Sequence, residues 1–193
     1  MDNSKTLVLV VAAFFLGLMT GILGPKMFGG RPAVQQVSRQ APAPQQPAPG
    51  TDYSVQISEL KRRLQNNPND VGLLVQLGNT YFDSNMYPES IEAYEKSLAL
   101  RPGNPDVLTD LGVMYRRNGQ SDEAVKRFRM AMAADPMHFQ SRMNLGVVLF
   151  YDFNDGAGAR EALESILEIY PQGPNADNAR QLMAAVDAAQ RGN

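Results

Sequence analysis

The 193-residue chain contains no cysteine and no tryptophan, and histidine occurs once. Without thiols there are no disulfide staples, no thiolate nucleophile, no zinc–thiolate centre and no acylated cysteine. A single histidine and the lack of a glycine-rich phosphate loop after a strand exclude a catalytic triad and a nucleotide cradle. Basic charge is also short: residues 51–193 carry 14 basic and 19 acidic side chains, a net of about −5, which argues against nucleic acid. Asp152-Phe153-Asn154-Asp155-Gly156 is similar to the opening of a calcium loop. Ala157, however, stands at its obligatory glycine and Leu163 at its bidentate glutamate, so the segment reads as an interhelical turn. His138, just before an expected helix, reads as a capping or solvated residue. Glu89, Glu92 and Glu95, like Glu161, Glu164 and Glu168, have the spacing of solvated helix faces. No catalytic, cofactor or metal site is expected; a hydrolase built on paired carboxylates is the least favoured alternative.

Charge is missing again from Leu7 to Gly24, where Thr20 is the only polar side chain. Such a run reaches nearly across a bilayer as a helix, with Lys5 and Lys26 placed at the two interfaces. The nearest small-x-small cleavage pattern, Ala41-Pro42-Ala43, is too far downstream for a signal peptide, so residues 1–28 are expected to be an uncleaved transmembrane anchor. Ala13, Gly17 and Gly21 recur every four residues and form a small-residue stripe, the basis for expecting a homodimer through this helix. Residues 29–52 hold five prolines and five glutamines with a single acidic residue at their end, a composition expected to stay disordered and extended. Charge counting across the span would keep the C-terminal part inside. The short head and proline-rich spacer instead resemble bacterial inner-membrane proteins whose soluble part is periplasmic; that orientation is the expectation, with a cytoplasmic one left open.

What the rest of the chain has is a period. Leu77-Gly78, Leu111-Gly112 and Leu145-Gly146 follow one another at intervals of 34 residues, and Pro68, Pro102 and Pro136 keep the same register. Apolar spacing is helical throughout, giving expected helices at 71–84, 88–100, 105–118, 122–134, 139–151, 158–170 and 176–190. Ile57, Leu60 and Leu64 mark a further helix before them. Pro88 and Pro105 suit first helical turns, and Ser121 and Asn175 suit N-caps. The expected class is all-α, with an N-terminal packing helix at 53–70, repeats at 71–104, 105–138 and 139–174, and a capping helix at 175–193.

These residues resemble the tetratricopeptide repeat (TPR) family, whose unit is a helical hairpin. The Leu-Gly pairs fall on its seventh and eighth positions, Ser90, Ala124 and Ala159 on its small twentieth position, and Tyr94, Phe128 and Leu163 on its large twenty-fourth. One inserted residue in the third turn is needed for this register. Arg142, Leu149 and Ile166 depart from the pattern in the third unit. The resemblance implies an α-solenoid of three hairpins that binds protein. It places Val75, Asn79 and Phe82, then Thr109, Val113 and Arg116, then Met143, Asn144, Val147 and Phe150, along a concave peptide-binding groove. The family's carboxylate clamp is not supported, since Val75, Gln140 and Asn144 stand where it needs cations.

Anchor, spacer and repeats together are similar to the envelope TPR proteins of cytochrome c maturation and nitrite reductase assembly. The function expected is a membrane-tethered scaffold that captures a peptide or helix of a partner protein. An assembly factor for a pilus, secretion or cell-wall complex is the alternative.

Overall fold

The computed structural model describes residues 52–191. The expected anchor at 1–28, its Ala13, Gly17 and Gly21, and the linker up to residue 51 lie outside the described residues. Among the described residues no helix is long and apolar enough to cross a membrane.

Eight helices and no strand make up this region: α1 (Tyr53–Asn66), α2 (Val71–Asp83), α3 (Tyr87–Leu100), α4 (Pro105–Arg117), α5 (Ser121–Ala134), α6 (Phe139–Tyr151), α7 (Gly156–Ile169) and α8 (Pro174–Arg191). The periodic prolines explain where the even-spaced stops fall. Asn67, Arg101, Asp135 and Tyr170 each precede a proline and leave the helical region, with φ from −123 to −138, because the proline ring clashes with a helical predecessor. Restarting is equally periodic. Asp70 accepts the Leu73 amide at 3.0 Å, Asn104 accepts the Asp106 and Val107 amides at 3.0 and 3.3 Å, and His138 Nδ1 accepts the Ser141 amide at 3.3 Å. These three N-caps satisfy amides that the first turn of a helix otherwise leaves unpaired.

The two caps expected elsewhere are corrected. Ser121 is the first residue of α5, behind Gln120, and its hydroxyl donates to Asp152 at 2.7 Å instead. Asn175 lies inside α8, which starts at Pro174. Helix α7 starts two residues before the expected position because Asp155 accepts the Gly158 amide at 2.8 Å. Within each hairpin the turn uses one left-handed residue, Asn85 (φ 59), Gly119 (φ 78) or Asn154 (φ 53). Glycine and asparagine tolerate this conformation best. Asn154 falls one residue later than the repeat period demands, which locates the insertion expected in the third unit.

Helices pair within hairpins as α2 with α3, α4 with α5 and α6 with α7; α3 then packs on α4 and α5 on α6, while α1 and α8 close the two ends. The helices of a hairpin meet where one has no side chain. A Cβ on Gly112 would sit 2.5 Å from Phe128 Cε1, one on Gly78 2.6 Å from Tyr94 Cε1, and one on Gly146 3.0 Å from Leu163 Cδ2. Leu111, Met114, Phe128 and Val148 are fully enclosed in the central core, which runs from Ile91 to Ala162. Smaller clusters cover the ends, around Leu60 and Leu73 beside α1 and around Val186 beside α8. Arg142, at an apolar position of the third repeat, is held by hydrogen bonds: Nη1 donates to Ser165 Oγ at 3.0 Å and Nη2 to the Pro136 carbonyl at 2.6 Å.

The glycine contacts predict a graded response. Alanine gains about 1 kcal/mol over glycine in helix propensity, whereas forcing an atom into a packed contact costs about 1–3 kcal/mol. At Gly112 the obstacle is a rigid ring and the second effect wins, so Gly112→Ala lowers the thermal midpoint and Gly112→Leu lowers it further. At Gly146 the obstacle is a flexible leucine, and Gly146→Ala stays close to the parent. Thermal melts that place Gly146→Ala below Gly112→Ala contradict this account.

Candidate binding groove on the concave face

The first helices of the three hairpins, α2, α4 and α6, present side chains spaced by three or four residues, and these share a face on each helix. Val75, Phe82 and Val113 are half-buried against the central core, and Met143 and Phe150 against the C-terminal cluster. Val147 and Asn144 are half-buried and Asn79 is exposed. The Tyr94 hydroxyl, rising from α3, donates to Asn79 Oδ1 at 2.7 Å. That bond fixes the amide and leaves its NH2 to donate to a ligand carbonyl.

Four of the expected groove residues, Thr109, Arg116, Phe82 and Phe150, make contacts within the chain. Thr109 is only 4% exposed; its hydroxyl donates to the Pro105 carbonyl at 2.8 Å and faces His138 Nδ1 at 3.4 Å, because the N-cap of α6 packs over it. Arg116 grips Asp152 with both ends of its fork, Nε at 2.8 Å and Nη2 at 2.7 Å. That pair holds the Asp152 carboxyl below its ordinary range, so Arg116 has no free charge for an acidic ligand. The Phe82 ring lies under the Arg117 guanidinium, 5.1 Å from its centroid, and the same guanidinium is 6.0 Å from Tyr87. Phe150 meets Tyr151 edge-on at 4.7 Å. His138, only 8% exposed, is a cap rather than a solvated residue, and its Nε2 is 3.1 Å from Asp106 Oδ1.

Two carboxylates at the groove were missed by the sequence reading. Asp110 on α4 and Asp83 at the end of α2 have no hydrogen-bond or ion-pair partner among the described residues. Asp83 and Asp110 are both exposed residues, with the neighbouring helices close enough to the Asp110 carboxyl to take part of its hydration. Lost hydration first, then repulsion by Asp106, push its carboxyl up to about 6, with His138 pulling the other way. Partial burial likewise raises Asp83. Both act on the Tyr94 hydroxyl and raise it, after burial itself. No spacing rule links residues 83 and 110; only the fold brings them to one ring.

The basic clusters that might suggest nucleic acid are dispersed. Lys126 pairs with Glu123 at 2.6 Å, Arg127 with Glu95 at 3.4 Å, and Arg116 with Asp152. A depression of about 840 Å³ lies between α1 and α3, with Leu64, Tyr81 and Leu100 in its wall. Its rim sets Lys61 and Lys96 against Glu89 and Glu92, and none of the expected groove residues lines it.

These features define a class: an α-solenoid of helical hairpins whose first helices expose a mixed apolar and polar concave face. The family model described as TPR repeat matches residues 78–119 and that described as tetratricopeptide repeat matches residues 109–174, together half of the chain. The chain belongs to the tetratricopeptide repeat family. No curated protein matches its sequence. Among solved structures, that of MamA is 21% identical with a TM-score of 0.60, over 73% of this chain and 90% of that one. The Sgt2 TPR domain from Aspergillus fumigatus is 25% identical with a TM-score of 0.58, over 63% and 80%. The first TPR of Spaghetti (RPAP3) bound to the HSP90 peptide SRMEEVD is 25% identical with a TM-score of 0.53, over 61% and 93%. The chain has the fold of a protein-interaction scaffold.

Asp110 supplies a pH test. Its folded-state carboxyl, at about 6, lies above the ordinary 3.8, so the ionised form is disfavoured in the folded chain and stability is gained as pH falls through about 6. The groups that act on it or that it acts on, Asp106, His138 and Tyr94, are unchanged in Asp110→Asn, so the difference between parent and variant isolates its contribution. The variant melts above the parent at pH 7.5, and the gap narrows as pH falls from about 6 toward the ordinary 3.8. A gap that is constant with pH contradicts the assignment.

Proposed function

We propose that this chain is a non-catalytic, membrane-tethered adaptor that holds a peptide or helical segment of a partner protein in its concave groove during assembly of a bacterial envelope complex. The observation that carries the reading is the row Val75, Val113, Met143, Val147 and Phe150, half-buried on three successive first helices. Such side chains are too exposed to serve the core alone and give an amphipathic segment its apolar anchors. Asn79 and Asn144 add amide groups for a bound backbone. The RPAP3 domain, of similar fold, is a peptide-bound precedent.

The tether rests on the uncharged run Leu7–Gly24 and its flanking lysines, and the proline-rich stretch after it supplies reach. Envelope TPR proteins of c-type cytochrome biogenesis are similar to this layout, which other TPR adaptors share, and a periplasmic groove suits that process.

Two measurements test this reading. A photo-crosslinking residue placed at Asn144 or Val147 of the full chain traps a discrete partner in intact cells, while one placed at Met130, 48% exposed on the second helix of a hairpin, does not. Equal trapping from Met130 rejects the groove. The chain also sediments with membranes and is released by detergent but not by alkaline carbonate; release by carbonate rejects the tether.

A further inference from the structure

We infer that the depression between α1 and α3 is a second docking surface, separate from the concave face, and that it takes an amphipathic helix of a partner protein whose apolar ridge has one acidic and one basic edge. The repeat itself marks a side chain as missing there. In the next junction Arg127 of α5 lies over the Tyr115 ring of α4, 5.4 Å from its centroid, and pairs with Glu95 of α3 at 3.4 Å, so the chain fills the space between α3 and α5 from within. Thirty-four residues earlier Tyr81 stands for Tyr115, but Ala93 stands for Arg127. No long side chain crosses from α3 over the Tyr81 ring, and a depression of about 840 Å³ stays open between α1 and α3.

The opening has the dimensions of a helix. Its α3 wall runs from Glu89 to Leu100, about 17 Å at the α-helical rise and hence about three turns of a guest. Leu64, Leu77 and Ala93 give it an apolar lining, and Leu100 at its end is 44% exposed. A guest that covers this lining removes apolar surface from water, which is the driving force for docking.

The rim charges divide by wall. On α1, Lys61 stands 5.7 Å over the Tyr81 ring and has no carboxylate partner among the described residues. On α3, Glu89 is half-buried and has no ion-pair partner among them. Glu92 and Lys96, beside them, pair with each other at 2.6 Å. The register explains why two charges are left over. Glu89 holds the place of Glu123, which approaches Arg127 at 4.0 Å in the next junction, and Lys61 holds the place of Glu95. The cation that would serve Glu89 is therefore absent, and the acid of the other wall is replaced by a lysine. A cation on one wall and an anion on the other call for opposite charges on the two edges of the guest, as charges flank the apolar seam of a coiled coil.

The test uses the detergent-solubilised full chain and synthetic alanine-based helical peptides of about 14 residues. All carry a leucine ridge; the edges hold glutamate and lysine, lysine alone, or glutamate alone. The mixed-edge peptide is expected to bind most tightly and to slow hydrogen exchange in α1 and α3. Ala93→Arg, which restores the side chain of the next junction, abolishes that binding. Lys61→Gln with Glu89→Gln, a change at the rim, lowers mixed-edge affinity by about three- to tenfold, the effect of two partly exposed ion pairs, and removes the preference over the other two peptides. Protection of α2, α4 and α6 alone, or no binding, overturns the inference and leaves the concave groove to its own test. Equal affinity of the three peptides, or unchanged binding in the rim variant, also overturns it. Self-association of the full chain that Ala93→Arg dissolves assigns the surface to a second copy and overturns the partner helix.

Discussion

A helix without a side chain at one point, facing a ring, is what the architecture depends on. At Gly78 and Gly112 the aromatic side chains of Tyr94 and Phe128 occupy the volume a Cβ would take, and this sets how closely the two helices of a hairpin approach. Close approach has two consequences. It encloses Tyr94 and Phe128 almost completely, each burial contributing about 1.5–3 kcal/mol. It also turns the large residues on the other side of α2 and α4, such as Leu108 and Leu111, toward the neighbouring hairpin. A single hairpin therefore always has an uncovered face, and stacking is obligatory. Where the ring is replaced by Leu163 the contact is softer, and in that same unit Arg142 substitutes hydrogen bonds for apolar filling.

Most of the fold was legible because its determinants are local and recur. Pro68, Pro102 and Pro136 fix helix ends through the conformation they impose on the preceding residue, and the Leu-Gly pairs fix the contact within each hairpin. The three N-caps were equally periodic but chemically disguised: Asp70, Asn104 and His138 are different residues doing one job, and only the first two belong to the usual capping set. Ser121, by contrast, has the right chemistry in the wrong place, and the fold uses it on Asp152.

The groove was legible only in part, for a related reason. Periodicity identifies which face of α2, α4 or α6 points away from the stack, and Val75, Val113, Met143 and Val147 are there. It carries no information about what a side chain meets across a turn. Thr109 was expected at the surface but lies beneath the cap of the next repeat, and Arg116 is neutralised by Asp152, 36 positions along the chain. Asp83 and Asp110 were overlooked because each, taken alone, reads as an ordinary solvated acid. What they share is an action at a distance on the Tyr94 hydroxyl, which only the packing of α2, α3 and α4 sets up.

The half-buried state of the proposed groove residues links their occupation to stability. Val75, Phe82 and Val113 pack against the core that joins the first and second hairpins while still facing the concave side, so a ligand that covers them completes packing the array leaves unfinished. In a chain of nearest-neighbour interfaces, strengthening one junction raises the cost of opening the array there. A segment that covers Val75, Phe82 and Val113 therefore stabilises the junction between the first and second hairpins as it binds.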